Sequence, residues 1–268
     1  MFPATESAIF AAMYKKVLLD TILAAGRVLQ EGIAENFTVS RKSTLNDLVT
    51  EVDKRSEAVI LESIQSRFPD HAILSEEAGA SAHAGAFRWI IDPLDGTVNF
   101  AHRLPICSVS IALEKEGEVI MGAVYNPFLK ELFFAEKGQG AYLNDQSIRV
   151  SDQDQIQQAF LVTGFPYQWR DMPHDPVQVF GYFIKQGVPV RRLGSAAIDL
   201  CWVACGRFDG YWEHHINAWD VAAGGLIVQE AGGILTDFEG NPYRLTSSKL
   251  IASNGHIHEG ILHAVQTA

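Results

Sequence analysis

Residues 89–100 read Trp-Ile-Ile-Asp-Pro-Leu-Asp-Gly-Thr-Val-Asn-Phe, an apolar run that drives straight into two acids. The run Arg88–Asp92 predicts a strand entering the core, so Asp92 emerges at the strand's end, where side chains leave the sheet and face a crevice. Pro93 is expected to stop the strand and set a turn. Asp95 then points back toward the same region. Gly96 and Thr97 open a new segment whose free backbone N–H groups could hold an anion. Two carboxylates in one small volume repel one another and raise at least one pKa unless a cation compensates. Oxygen-only donors favour a hard ion, Mg2+ first and Mn2+ as the alternative.

Three further stretches place acids comparably. "ILSEEAG" ends a strand-like run on Glu76 and Glu77. "NDLVTEVD" sets Asp47 and Asp53 just ahead of a helical pattern, where Asp53 alone would read as an N-cap. "INAWDVAAGG" starts a helix at Asp220 after a buried-looking Trp219, and an acid in a first helical turn needs only the helix dipole to explain it. Each has a purely structural reading, but four such sites in one chain point to a shared acidic cluster.

Around these stretches the chain divides by texture. A long first helix is predicted through Ile9, Met13, Val17, Ile22 and Leu23, ending near Gly32, and a second runs through residues 53–68. Short apolar runs separated by turn residues then predict a meander-like antiparallel sheet. After about residue 150 strand-like and helix-like stretches alternate, the mark of a layered α/β half. The expected organisation is an N-terminal α+β half over residues 1–150 and a C-terminal α/β half over residues 151–268, tightly packed, with no repeat and no long linker.

Composition excludes several classes. Of 268 residues 47% are apolar, enough for a substantial core, and 21 Lys and Arg against 32 Asp and Glu leave a net charge of -11. That balance argues against a broad nucleic-acid or anionic-membrane footprint. Cys107, Cys201 and Cys205 are too few for a disulfide framework, and each sits in an apolar run that reads as core. The N-terminal stretch carries Glu6, Lys15, Lys16 and Asp20 through its apolar pattern, which fits neither a signal peptide nor a membrane span; a cytoplasmic protein is expected.

"DPLDGTVNF", with "LSEE" upstream and "WDVAAGGLIVQEAGG" downstream, closely resembles the inositol monophosphatase family, within the superfamily of Mg2+-dependent, Li+-sensitive phosphatases that includes fructose-1,6-bisphosphatase. The resemblance runs from the first helix to "LIASN". It implies an α+β fold layered α-β-α-β-α, a homodimer, and two to three Mg2+ ions. Glu76, Asp92 and the carbonyl of Leu94 would hold the first ion; Asp92, Asp95 and Asp220 the second; Glu76 would help with a third. Asp53 and Thr97 would orient and deprotonate the attacking water, making Asp53, Glu76 and Thr97 the catalytic set. Substrate would meet Asp95, Gly96, Thr97, Gly194, Ser195, Ala196, Glu213 and Asp220, with the Gly96 and Thr97 N–H groups on phosphate and Glu213 on hydroxyls. Lys42 matches a family lysine near the metals.

The implied reaction is direct hydrolysis of a small phosphorylated polyol or sugar, inositol-1-phosphate first. Alternatives are fructose-1,6-bisphosphate, phosphoadenosine phosphate or NADP, or a partner-binding regulatory role on a retained fold. Ser75 stands where many family members have Gly. His214 and His215 read as polar loop residues, Arg191 and Arg192 as solvated surface with contact to substrate or a neighbouring subunit as the alternative, and "TGFPYQWRDMPHDP", residues 163–176, resembles bacterial members on the side where the alcohol would lie.

Overall fold

A computed structural model describes residues 4–35, 37–41, 48–83, 85–166 and 175–268. Lys42, Asp47 and residues 167–174 of the 163–176 stretch lie outside the described residues. Helix α1 (Ala4–Gly32) ends where the sequence predicts. A short antiparallel pair, β1 (Val39–Arg41) and β2 (Leu48–Thr50), leads into helix α2 (Glu51–Gln65). The N-cap of α2 is Thr50, whose hydroxyl accepts from the N–H groups of Val52 and Asp53; Asp53 is the third helical residue and returns the bond to Thr50 N. This reciprocal capping box replaces the N-cap reading of Asp53, because Thr50 stands three residues earlier with an extended backbone.

The first sheet has eight strands, β3 (Ala72–Ser75), β4 (Gly79–Ala80), β5 (Phe87–Asp95), β6 (Ser108–Lys115), β7 (Glu118–Asn126), β8 (Glu131–Glu136), β9 (Ala141–Leu143) and β10 (Gln146–Ile148), in the order β10-β9-β8-β7-β6-β5-β3-β4. From β5 onward it is the expected antiparallel meander. Strand β3, however, pairs parallel to β5, with Ser75 opposite Ile91. The chain turns outward into β4 and crosses back before β5 begins, so the C-terminal ends of β3 and β5 lie side by side. Pro93 does not stop β5. Pairing with β6 shifts register between Asp92 and Asp95, and the proline sits in that irregularity, where a missing N–H costs no ladder bond.

The second sheet contains β11 (Leu161–Thr163), β12 (Val190–Arg191), β13 (Gly210–His214), β14 (Ile234–Thr236) and β15 (Lys249–Ser253), ordered β12-β11-β13-β15-β14. Helices α5 (Ala196–Ala204) and α6 (Ala218–Glu230) lie between the sheets; α4 (Pro176–Lys185) and α7 (His258–Thr267) cover the outer face of the second, as α1 and α2 cover the first. The short α3 (Thr97–Ala101) follows β5. Three buried clusters fill the gaps between these five layers, which are the α-β-α-β-α sandwich that the sequence implies. The middle cluster joins Ile90, Ala112 and Val124 of the first sheet to Leu200, Ala223 and Ile227 and on to Tyr211 and Leu250 of the second, so one core crosses residue 150. A Cβ on Gly122 of β7 would lie 2.8 Å from Ala223 Cα, which is why the small-residue run of α6 can seat directly on the sheet. Cys107 and Cys201 are buried, Cys205 partly so, and all three are free thiols. Among the described residues no helix is long and apolar enough to cross a membrane.

Candidate active site

The parallel pairing of β3 with β5 is the first cause of the site. Glu76 follows β3 and continues the ladder by one bond, its N–H donating to Ile91 O at 3.1 Å, which sets it beside Asp92. Asp92 is buried, with Oδ1 accepting from Leu94 N at 3.0 Å. Leu94 O accepts from Thr97 Oγ1 at 3.0 Å, and the same hydroxyl lies 3.2 Å from Asp53 Oδ1. Thr50 holds the other Asp53 oxygen through its N–H at 2.8 Å and its hydroxyl at 2.5 Å.

Gly96 is left-handed, at φ 86°, and an added Cβ would stand 2.9 Å from Ile106 O and 3.2 Å from Gly194 O. Only glycine lets the α3 start face the α5 start this closely. Asn99 fixes the approach, its amide donating to Ile106 O at 2.7 Å and Leu193 O at 2.8 Å. Ser195 occupies the N-cap of α5, yet its hydroxyl turns away from the helix to donate to Asp95 Oδ2 at 2.6 Å, where Ala197 N also donates at 2.9 Å. Asp95 thus caps a helix from the other half of the chain. Asp220 is the third residue of α6, with Oδ2 accepting from Asn217 N at 2.8 Å. Glu213 on β13 accepts from the Tyr211 hydroxyl.

These residues converge on one cleft of about 480 Å³ lined by Glu76, Asp92, Leu94, Asp95, Gly96, Thr97, Gly194, Ser195, Ala196, Glu213 and Asp220. Asp53 stands behind Thr97 rather than in the lining. Glu77 does not line it either, though its charge reaches Asp53. Of the two arginines read as surface, Arg192 lines the cleft, while Arg191 lies with its guanidinium over the Phe160 ring, 5.0 Å from the centroid. His215 is an exposed residue of the lining, as a loop reading requires. His214 is instead buried at the end of β13 with its ring edge against Phe238, because a residue two positions beyond Trp212 shares that strand's inward face.

Sequence reasoning missed four participants. Asp199, inside α5, is buried in the cleft wall with no hydrogen-bond partner on Oδ1 among the described residues, and burial first, then repulsion by Glu213 and Asp95, pushes its pKa well up. Gly164 leaves the space that the Glu213 carboxylate occupies, since any Cβ there would collide with it. Ser56 and Glu57 of α2 bind the loops behind the cleft. An acid set among apolar helical positions, as at Asp199 in α5 and Glu57 in α2, was the available signal.

The cleft is strongly acidic. Six carboxylates, those of Glu76, Asp92, Asp95, Asp199, Glu213 and Asp220, line the cleft against Arg192 among the described residues. Burial, followed by repulsion from Glu76, Asp95 and Asp220, holds Asp92 well above the usual carboxylate range. Asp220 is raised by burial and by Asp95 and Glu76. Burial lifts Asp95 to about 6 against the pull of Ser195 and Ala197, Asp53 to about 6 against Thr50, and Glu213 to about 7 against Tyr211. The donor set suits a hard cation: carboxylates and a carbonyl, with one oxygen each of Asp92, Asp95 and Asp220 fixed by backbone N–H groups and the other carrying none of those bonds. Among the described residues no three such side chains already stand at metal-holding spacing.

A model of the inositol monophosphatase family matches residues 13–268. The chain belongs to that family. It is 45% identical over 251 residues to an inositol-1-monophosphatase of Synechocystis, covering 93% of this chain and 88% of that one. It is equally 45% identical over 246 residues to a protein of Pasteurella multocida named Nus factor SuhB, covering 90% and 91%. The solved inositol monophosphatase of Anabaena superposes with a TM-score of 0.87 at 39% identity, over 96% of this chain and 97% of that one. The layered sandwich is therefore the family's fold, and the chain is a phosphatase-superfamily member whose relatives carry two kinds of name.

Proposed function

We propose that the chain hydrolyses small phosphomonoesters, inositol-1-phosphate foremost, with Mg2+ bound at Glu76, Asp92, the Leu94 carbonyl, Asp95 and Asp220. The observation that carries the reading is the meeting of those oxygens with the Thr97–Asp53 pair and two helix starts in one cleft. Two to three Mg2+ ions, when bound, would lower the pKa of water, neutralise phosphate oxygens and stabilise the leaving alkoxide. The chain's own residues supply position and proton transfer. Thr97 Oγ1, between Leu94 O and Asp53 Oδ1, orients the attacking water, and Asp53, lifted to about 6 by burial, takes its proton. The N–H groups at the α3 start, from Gly96 and Thr97, meet the phosphate; the α5 start, Gly194 to Ala196, closes the opposite side. Glu213, held by Tyr211, accepts from substrate hydroxyls. No protein nucleophile is needed: attack is in line, by water.

The same reading takes residues 1–150 and 151–268 as halves of one unit, the protein as a cytoplasmic homodimer, and Li+ as an inhibitor. Phosphate release from inositol-1-phosphate, glycerol-2-phosphate, fructose-1,6-bisphosphate, phosphoadenosine phosphate and NADP, with Mg2+ and with added Li+, tests it. Mg2+-dependent release led by inositol-1-phosphate is expected; another leading substrate would move the substrate and keep the chemistry. The identity to the Nus factor of Pasteurella favours a second reading, in which the chain acts as such a factor and binds a macromolecular partner. Absence of release from every substrate would select it.

A further inference from the structure

Helix α2 turns one face toward the cleft's loops, and each residue on that face holds a different one. Asp53, Ser56 and Glu57 stand at positions i, i+3 and i+4, neighbours on the helix surface. Asp53 meets Thr97. Ser56, fully buried, donates from Oγ to Pro93 O at 2.7 Å, fixing the peptide that precedes Leu94. Glu57 is 9% exposed, and its Oε1 accepts twice: from Ser75 Oγ at 2.5 Å and from Ala78 N at 2.9 Å.

Those two donors flank Glu76 and Glu77. One carboxylate oxygen therefore closes the four-residue turn from Ser75 to Ala78, while the N–H of Glu76 is tied to Ile91 O. Gly79, at φ 73°, reverses the chain immediately afterwards and pairs opposite Ser75 as β4 returns along β3, so Glu57 grips the inside of a hairpin turn. A buried acid is costly unless hydrogen-bonded, and Glu57 spends its bonds on this turn rather than on a cation: no ion pair to it is present among the described residues.

We propose that Glu57 is a positioning residue for metal binding, which it serves by clamping the Ser75–Ala78 turn so that Glu76 is presented to Asp92. The inference rests on the Mg2+ reading above. It also gives Ser75, which departs from the glycine common in the family, a role: its hydroxyl is the clamp's second donor. Partners of this kind, one step behind the ligands, typically change metal affinity by 10–100-fold when removed.

The test uses the full chain and reads Mg2+ dependence in two ways, the midpoint of the Mg2+-induced rise in melting temperature and the midpoint of Mg2+ activation of phosphate release. Glu57→Ala should raise both midpoints roughly 10-fold or more, with kcat at saturating Mg2+ falling far less. Glu57→Gln keeps an oxygen that can accept both bonds and should stay near wild type. Unchanged midpoints in Glu57→Ala overturn the proposal, as does a Glu57→Gln as weak as the alanine variant, which would mean that charge and not the clamp matters. Ser75→Ala removes one of the two bonds with the carboxylate in place and should shift the midpoints in the same direction by less; if Glu57→Ala does not fold, an unshifted Ser75→Ala is the overturning result. A wild-type chain with no Mg2+ response in either assay would instead refute the metal reading itself, and the inference with it.

Discussion

Asp92→Asn isolates the charge at the centre of the cleft from everything else the residue does. Asparagine is nearly isosteric and its Oδ1 can still accept from Leu94 N, so no hydrogen bond in the structure is lost. What disappears is a buried negative charge repelled by Glu76, Asp95 and Asp220. Its size can be bounded from a neighbour. Asp95, moved from 3.8 to about 6, carries a penalty of roughly 3 kcal/mol at neutral pH, taking about 1.36 kcal/mol per pH unit. Asp92 is more deeply buried and has three repelling partners, so relief of about 3 kcal/mol is a fair order of magnitude. For a chain this long about 2 °C accompanies each kcal/mol, so the metal-free variant should melt about 6 °C above wild type. With Mg2+ the order should reverse, because wild type gains stability by mass action and the variant has lost its central ligand. Turnover should fall by about 10³-fold or more, a loss of about 4 kcal/mol of transition-state stabilisation. The assay is thermal melting at pH 7.5 in EDTA and in saturating Mg2+, alongside phosphate release. A variant that melts below wild type in EDTA, or that keeps substantial turnover, would refute the reasoning.

Three further outcomes follow from the same geometry. Asp53 and Asp95 at about 6 and Glu213 at about 7 hold protons in the folded state that the unfolded chain releases near pH 4, so stability present below that point is lost as pH rises toward 7. Metal-free melting temperature should therefore decline across pH 4.5–7.5 and flatten in saturating Mg2+; a flat metal-free profile would contradict the assigned shifts. Glu213→Gln should raise KM for inositol-1-phosphate several-fold while sparing 4-nitrophenyl phosphate, which lacks hydroxyls, and an equal loss on both would remove Glu213 from hydroxyl recognition. Gly164→Ala must displace the Glu213 carboxylate from Tyr211 and should reproduce that selective defect at about 10-fold in kcat/KM, worth about 1.4 kcal/mol; wild-type kinetics in that variant would show that the carboxylate's placement is immaterial.

What the sequence reveals, and what it hides, divides along physical lines. Acids at the ends of apolar runs are local signals, and Glu76, Asp92, Asp95 and Asp220 all reach the cleft as their positions suggest. The alternation after residue 150 likewise announces α4, α5, α6 and the strands between them. Parallel pairing of β3 with β5 is not local: both strands are short apolar runs that would read the same in either direction, yet their direction decides whether Glu76 meets Asp92. Pro93 misled because a proline stops a strand only where its N–H is needed, and a register shift removes that need. Gly164 makes room for the Glu213 carboxylate across the second sheet, and Asp199 meets Glu213 from the α5 layer as a repelling neighbour, distances no spacing rule covers. Glu57 was more accessible. It lies on the buried face of α2 with Val52, Ile60 and Ile64, and a glutamate on an apolar helical face asks what it is bonded to.

The central claim, that this carboxylate-lined cleft is an Mg2+-dependent phosphomonoesterase, is tested most directly by titrating Mg2+ into the purified, EDTA-stripped chain and following phosphate release from inositol-1-phosphate, with the Asp92→Asn chain in parallel. The account predicts no release without Mg2+, saturable activation as it is added, and release lower by about 10³-fold or more at any Mg2+ concentration in the variant. Release that persists in EDTA, or that the variant matches, would contradict it.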